Sequence, residues 1–212
     1  MTVYFLPGVG CDKRLFSRIK LPGHEMVMLE WPPFPKRCTL EELAAEMRSG
    51  VDGTKPHMLA GVSLGGMVAQ ELALLTKPEK VILISTWTGP HEWPRQVHVM
   101  KSLGGTCLIG RFTMWATWPF KRFLGLRDRI SDQLLWDMAK KETAAKIRRG
   151  VEAVLRWKGT RWKGPVARIH GTNDQAIPMR FPVDHAVEGG GHVMVLTRAE
   201  EISRWMQEVI NA

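Results

Sequence analysis

The sequence predicts an α/β fold, a mostly parallel sheet of about six strands flanked by helices. Three observations carry that expectation. Short apolar runs of strand length alternate along the chain with segments of helical periodicity, as repeated strand–helix units require. One run, Lys80-Val81-Ile82-Leu83-Ile84-Ser85, is almost continuously apolar, the pattern of a strand covered on both faces. A third run passes through Gly61-Val62-Ser63-Leu64-Gly65 into a helical pattern, which places a sharp turn between strand and helix.

The elements follow in order. Val3–Leu6 is a first strand, closed by Pro7-Gly8. Glu25–Trp31 is a second, stopped by Pro32-Pro33. Thr39-Leu40-Glu41-Glu42 has the form of a capping box and opens a helix that runs to about Arg48. Pro56-His57-Met58-Leu59-Ala60 is the strand before Ser63. After it, Leu64, Met67, Val68, Leu72 and Leu75 fall on one helical face. Lys80–Ser85 is the fourth strand, Pro165–His170 the fifth and His185–Glu188 a weaker sixth. Thr197-Arg198-Ala199-Glu200 caps a last helix, with Ile202, Trp205, Met206, Val209 and Ile210 on its apolar face.

Residues 88–161 break the alternation. They hold helix-like pieces and no convincing strand. The clearest spans about Ser131–Trp157 and is divided at Gly150, while Gly104-Gly105 and Gly125 mark further breaks. An insertion between consecutive sheet strands predicts a helical cap. It would lie over the carboxyl ends of the strands, where open α/β sheets place their sites. Residues 1–212 as a whole read as one domain with that cap.

Composition narrows the class. Apolar residues make up 44% of the chain and charged residues 24%, which fits a soluble globular protein rather than a disordered one. No apolar run of spanning length occurs, and the opening Met1–Gly8 lacks the basic start of a secretory leader. Cys11, Cys38 and Cys107 are widely spaced and form neither a metal-ligand pair nor a disulfide set. A reducing, cytoplasmic setting is therefore expected, with no metal. The net charge of +9 is concentrated in residues 121–163, which carry 13 basic and 5 acidic side chains. No nucleic-acid-binding module accompanies that charge, so it is read as a solvated surface and no nucleic-acid partner is expected.

The chemistry centres on Ser63. A serine hydroxyl is a weak nucleophile unless a base takes its proton and a third group orients that base. A strand–G-x-S-x-G–helix turn expects the order serine, acid, histidine. Asp174, in Ile169-His170-Gly171-Thr172-Asn173-Asp174, follows the fifth strand. His192, in Glu188-Gly189-Gly190-Gly191-His192, follows the sixth. Both are expected at the same rim of the sheet as Ser63. Gly61 and Gly65 provide the room that the turn needs. The backbone N–H groups of Leu64 and Val9 are the expected donors for an oxyanion. Cys11 is expected near that site, and His170 to be structural.

With these motifs in place, the chain resembles the α/β-hydrolase superfamily, in a small single-domain, esterase-like form with a helical cap. The resemblance rests on Leu6-Pro7-Gly8-Val9-Gly10, Gly61-Val62-Ser63-Leu64-Gly65-Gly66, His170–Asp174 and Gly189-Gly190-Gly191-His192, and it covers residues 1–87 and 162–212. It departs from the family pattern where Pro7-Gly8 stands in place of the frequent His-Gly. The short spacing between Asp174 and His192 departs too, for it leaves little room for a crossover helix. The resemblance implies a cofactor-free serine hydrolase acting on a carboxylic ester or thioester. Its alternatives are carbon–carbon bond hydrolysis, acyl transfer or haloperoxidase-like chemistry on the same three residues, or a non-catalytic ligand-binding role. Trp93, Trp115, Trp118, Trp136 and Trp157, with Met100, Met114 and Met138, mostly pack the cap, and a few line an apolar acyl pocket. The basic surface would suit an acyl group on an acidic carrier.

Overall fold

The computed structural model of the chain describes residues 1–104 and 129–212. Cys107, Met114, Trp115, Trp118, Gly105, Gly125 and the charged residues of 121–128 lie outside the described residues. Six strands form one sheet: β1 (Thr2–Leu6), β2 (Glu25–Met28), β3 (His57–Val62), β4 (Lys80–Ile84), β5 (Val166–Gly171) and β6 (His185–Val187). Their order is β2-β1-β3-β4-β5-β6, and every pairing is parallel. β2 ends three residues earlier than the sequence predicts.

Each central strand divides its side chains between two cores, as a two-residue period requires. Val3, Phe5, Met58, Ala60, Ile82 and Ile84 face one side, where they meet Phe16 and the last helix through Ile202, Trp205 and Met206. Tyr4, Leu6, Leu59, Val81 and Leu83 face the other, against α1 (Leu40–Met47) and α2 (Leu64–Thr76). Burial of each large side chain contributes about 1.5–3 kcal/mol, so this double cover is what holds the strands in register. Thr39 caps α1 as predicted: its hydroxyl accepts from the Glu42 N–H, and the Glu42 carboxylate accepts from the Thr39 N–H at 2.9 Å.

Between β4 and β5 the described residues form α3 (Arg95–Leu103), α4 (Arg129–Ala139) and α5 (Ala144–Arg156). The long segment divides at residues 140–143 rather than at Gly150. The Thr143 hydroxyl accepts from the Lys146 N–H and starts α5, while Gly150 lies buried in the middle of that helix. After β6 come a short α6 (Met194–Thr197) and α7 (Ala199–Asn211). Thr197 is the last residue of α6 and does not cap α7. Arg198 occupies the cap position without a side-chain hydrogen bond. Leu75, expected on the apolar face of α2, is 46% exposed and does not join the core that buries Leu64, Met67, Val68 and Leu72. Among the described residues, no helix is long and apolar enough to cross a membrane.

Candidate functional site

Strand register assembles the site. Leu6 pairs with Gly61, so the loop after β1 lies beside the turn after β3. Gly171 pairs with Val187, so the segments leaving β5 and β6 start side by side. All four loops leave the carboxyl ends of parallel strands, and they meet at one rim.

The turn at Ser63 is strained. Its φ is 54° and its ψ −121°, a conformation that costs a residue with a side chain on the order of 1–3 kcal/mol. The surroundings enforce it. The Ser63 N–H donates to Ile84 O at 3.1 Å, and Thr86 Oγ1 donates to Ser63 O at 2.6 Å. A side chain at Gly61 would run into the Gly65 carbonyl, and one at Gly65 into the Leu6 and Pro7 carbonyl oxygens. Both glycines are thus required by close backbone approach. The turn leaves Ser63 on the wall of a cavity, at the N-terminus of α2.

Asp174 follows β5 and is buried. Its Oδ1 accepts from the Ala176 and Ile177 N–H groups at 2.9 and 2.8 Å. Its Oδ2 accepts from His192 Nδ1 at 2.8 Å and lies 3.2 Å from His170 Nε2. Burial pushes this carboxyl upward. The charge of His192, the contacts with His170 and His192 and the Ile177 N–H outweigh burial and hold it well below the usual carboxylate range. Asp174 therefore stays ionised and accepts from His192 Nδ1, which leaves Nε2 as the acceptor nitrogen of the neutral imidazole. His192 and Ser63 line the same cavity, and no hydrogen bond joins them in this structure. Such contacts commonly tighten only when substrate is bound.

The loop after β1 contributes Gly8, Val9, Gly10 and Cys11 to the cavity. Among the described residues, neither the Val9 nor the Leu64 N–H donates to another group of the chain. Trp31 Nε1 donates to Gly8 O at 3.2 Å, and the Cys11 N–H donates to the same oxygen, so the loop is held from both sides. Cys11 faces the cavity, as expected, but burial pushes its thiol up to about 12, which leaves it unreactive as a thiolate.

The cavity encloses about 400 Å³. Leu15, Met67, Trp87, Met100, Leu135 and Val151 are among its walls, and Ser63, His192, Cys11 and the indole of Trp87 carry the polar side-chain groups among its described lining residues. Aliphatic side chains of α3, α4 and α5 form its roof. The tryptophans of the insertion behave differently. Trp93 packs against Trp87, and Trp157 donates to buried Glu71 at 2.7 Å. Neither Trp93, Trp136 nor Trp157 lines the cavity. Of the sulfur side chains named from sequence, Met100 does and Met138 sits in the core.

Among the described residues, the basic side chains of α5 are engaged. Lys146 and Arg148 pair with Glu142 and Glu152 along α5. Arg149 donates to Phe34 O at 2.7 Å and Arg156 to Cys38 O at 2.8 Å, so both clamp α5 onto the loop after β2. Among the described residues, no cluster of side chains could hold a metal. Three supporting residues escaped sequence reasoning: Thr86, Trp31 and the polar role of His170. Each acts through a contact across the sheet rim, and no local pattern announces it.

Comparisons agree with this architecture. The sequence profile of the alpha/beta hydrolase family matches residues 3–205, and the chain belongs to that family. No match was found among curated protein sequences. Among solved structures, an esterase from Exiguobacterium antarcticum superposes with a TM-score of 0.78 at 14% identity, over 100% of this chain and 92% of its own. MenH from S. aureus gives a TM-score of 0.76 at 15% identity, over 100% and 93%. The enol-lactonase from Burkholderia xenovorans LB400 gives 0.72 at 17% identity, over 100% and 91%. At these identities the likeness establishes the fold.

Proposed function

We propose that this chain is a serine hydrolase that cleaves a carboxylic ester or thioester through an acyl-enzyme and uses no cofactor. The observation that carries the reading is the 2.8 Å contact between His192 Nδ1 and Asp174 Oδ2, with His192 and Ser63 on one cavity wall. Ser63 Oγ attacks the substrate carbonyl carbon while His192 Nε2 takes its proton. The developing oxyanion accepts from the Val9 and Leu64 N–H groups. Loss of one such donor typically costs about 10²–10³ in rate. His192 then gives the proton to the departing alcohol or thiol. Water, deprotonated by the same nitrogen, attacks the acyl group and releases the acid and the serine.

The segment 88–161 serves as a cap on a single hydrolase domain, and it sets substrate preference. Apolar walls around about 400 Å³ favour an uncharged, apolar acyl portion of medium length. Charge on the described part of the cap is mostly committed to internal pairs, which gives little support to an acidic carrier.

The test is Ser63→Ala, assayed on p-nitrophenyl esters from acetyl to decanoyl. The variant is expected to lose about 10⁴–10⁶ in kcat and all labelling by a fluorophosphonate, with its fold unchanged. Unaltered turnover would refute the mechanism. In the wild type, kcat/KM should rise with chain length and then fall. A flat profile would remove the apolar acyl assignment.

A further inference from the structure

We infer that His170 is a positioning residue for the reaction, one that locks the Asp174 carboxylate in the orientation His192 needs. This rests on the roles given above to Ser63, Asp174 and His192. His170 belongs to β5 and is 1% exposed. Its Nε2 lies 2.7 Å from Ile177 O, a carbonyl oxygen that can only accept, so this nitrogen carries a proton. The same nitrogen lies 3.2 Å from Asp174 Oδ2, the oxygen that also accepts from His192. Ile177 returns the connection, because its N–H donates to Asp174 Oδ1 at 2.8 Å.

A small closed circuit results. His170 holds the Ile177 carbonyl, Ile177 holds one carboxylate oxygen, and the other oxygen rests beside the His170 N–H. The carboxylate cannot rotate about its Cβ–Cγ bond without giving up a partner. The imidazole is itself held. Phe181 packs edge-on against it with ring centres 5.1 Å apart, and Arg168 stacks on Phe181 at 4.2 Å. Among the described residues, the ionisable groups touching Asp174 are His170 and His192, while the Arg168 guanidinium is paired with Glu92. Space-filling alone would be met equally by an apolar ring. The polar circuit is what a histidine adds.

The test compares His170→Phe and His170→Asn, which withdraw the donor, with His170→Gln, whose amide nitrogen reaches the place of Nε2. We would measure kcat and KM on an ester the wild type turns over, and the ¹⁵N shifts of the His192 ring in the free protein. Both donor-less variants should lose about tenfold in kcat with KM held within about twofold, because misplacement of a catalytic group by a fraction of an ångström is costly. The share of His192 protonated on Nδ1 should fall in both, and His170→Gln should restore rate and tautomer together. A folded His170→Phe or His170→Asn with wild-type kcat and wild-type His192 tautomer would overturn the assignment. The tautomer is read without substrate. An inactive wild type that no fluorophosphonate labels would defeat the hydrolase reading instead, and the ring shifts would still decide the role of His170.

Discussion

The rim of the sheet and the helices inserted between β4 and β5 are held by different forces. At the rim, Ser63, Asp174 and His192 are placed by strand register and by short hydrogen bonds, most of them involving backbone groups. The Ser63 amide and carbonyl, both oxygens of Asp174 and Nδ1 of His192 all have partners within 3.2 Å. Among the described residues, the insertion is held by apolar contact and by side-chain ties that include Arg149 to Phe34 O, Arg156 to Cys38 O, Arg18 to Ser131 Oγ, Trp157 to Glu71 and Arg168 to Glu92. Hydrogen bonds to fixed backbone leave little latitude in geometry, whereas apolar packing tolerates exchange of side chains of similar volume. The geometry of the proposed reaction is thus built into the more constrained part of the fold. Pocket shape is assigned to the part that can.

Asp174→Asn puts the largest load on the rim side of this comparison. The asparagine fits the same space but offers an amide where the carboxylate accepted from His192. The imidazole then loses the partner that fixes its tautomer, and kcat should fall about 10⁴-fold. The same substitution bears on pH. A carboxyl held below its ordinary value stabilises the native state fully above the unfolded value of about 3.9. That contribution is lost as pH falls through this value toward the native one. Urea unfolding between pH 6 and about pH 2 should therefore weaken less steeply in Asp174→Asn than in the wild type. Parallel curves would show that Asp174 is not held ionised by its neighbours.

Sequence reasoning reached the rim and stopped short of the insertion, for a physical reason. Ser63, Asp174 and His192 sit at strand ends, and strand ends are marked by local chemistry: apolar runs, glycines and turn residues. Gly61 and Gly65 were legible because backbone crowding at a tight turn admits only glycine. Gly150 carries no such local mark. It reads as a helix breaker, and its actual partners, Val9, Phe34 and Leu64, are distant in sequence. Trp93 and Trp157 read as pocket or packing residues alike, because hydrophobicity alone does not say which side of a helix meets a cavity. The division at residues 140–143 was missed because Thr143 caps α5 through a single hydroxyl, with no proline or glycine to announce it. His170 reads as an inert strand residue until its contacts with Ile177 and Asp174 are seen.

Gly150→Ala tests where the two regions touch. Alanine in a helix interior normally gains up to about 1 kcal/mol over glycine. Here the added methyl would lie 2.9 Å from Val9 Cγ2 and 3.0 Å from Phe34 Cε2. Something must shift by a few tenths of an ångström, and Val9 is a proposed oxyanion donor. We expect no gain in Tm and a loss of about threefold in kcat/KM, since displacing a donor weakens it without removing it. A full propensity gain with unchanged rate would mean that α5 is not seated on the loop after β1.

Arg149→Met should have the smallest effect, because it alters only the clamp. The aliphatic stem is kept and the bond to Phe34 O is lost. A hydrogen bond from a partly exposed charged group contributes about 1 kcal/mol, and a partner left within reach of water recovers part of that. Thermal stability should fall by no more than about that amount, and kcat should not change, because Arg149 makes no hydrogen bond to Ser63, Asp174 or His192. The roof of the cavity loses one of its ties to the loop after β2, so the effect should appear in KM, and most for the longest acyl chains that press against α5. A KM increase of about twofold, confined to long esters, would support a roof that yields while the rim stays fixed. A drop in kcat that is equal for short and long esters would show instead that the clamp transmits to Ser63, and the division of labour between the two regions would have to be abandoned.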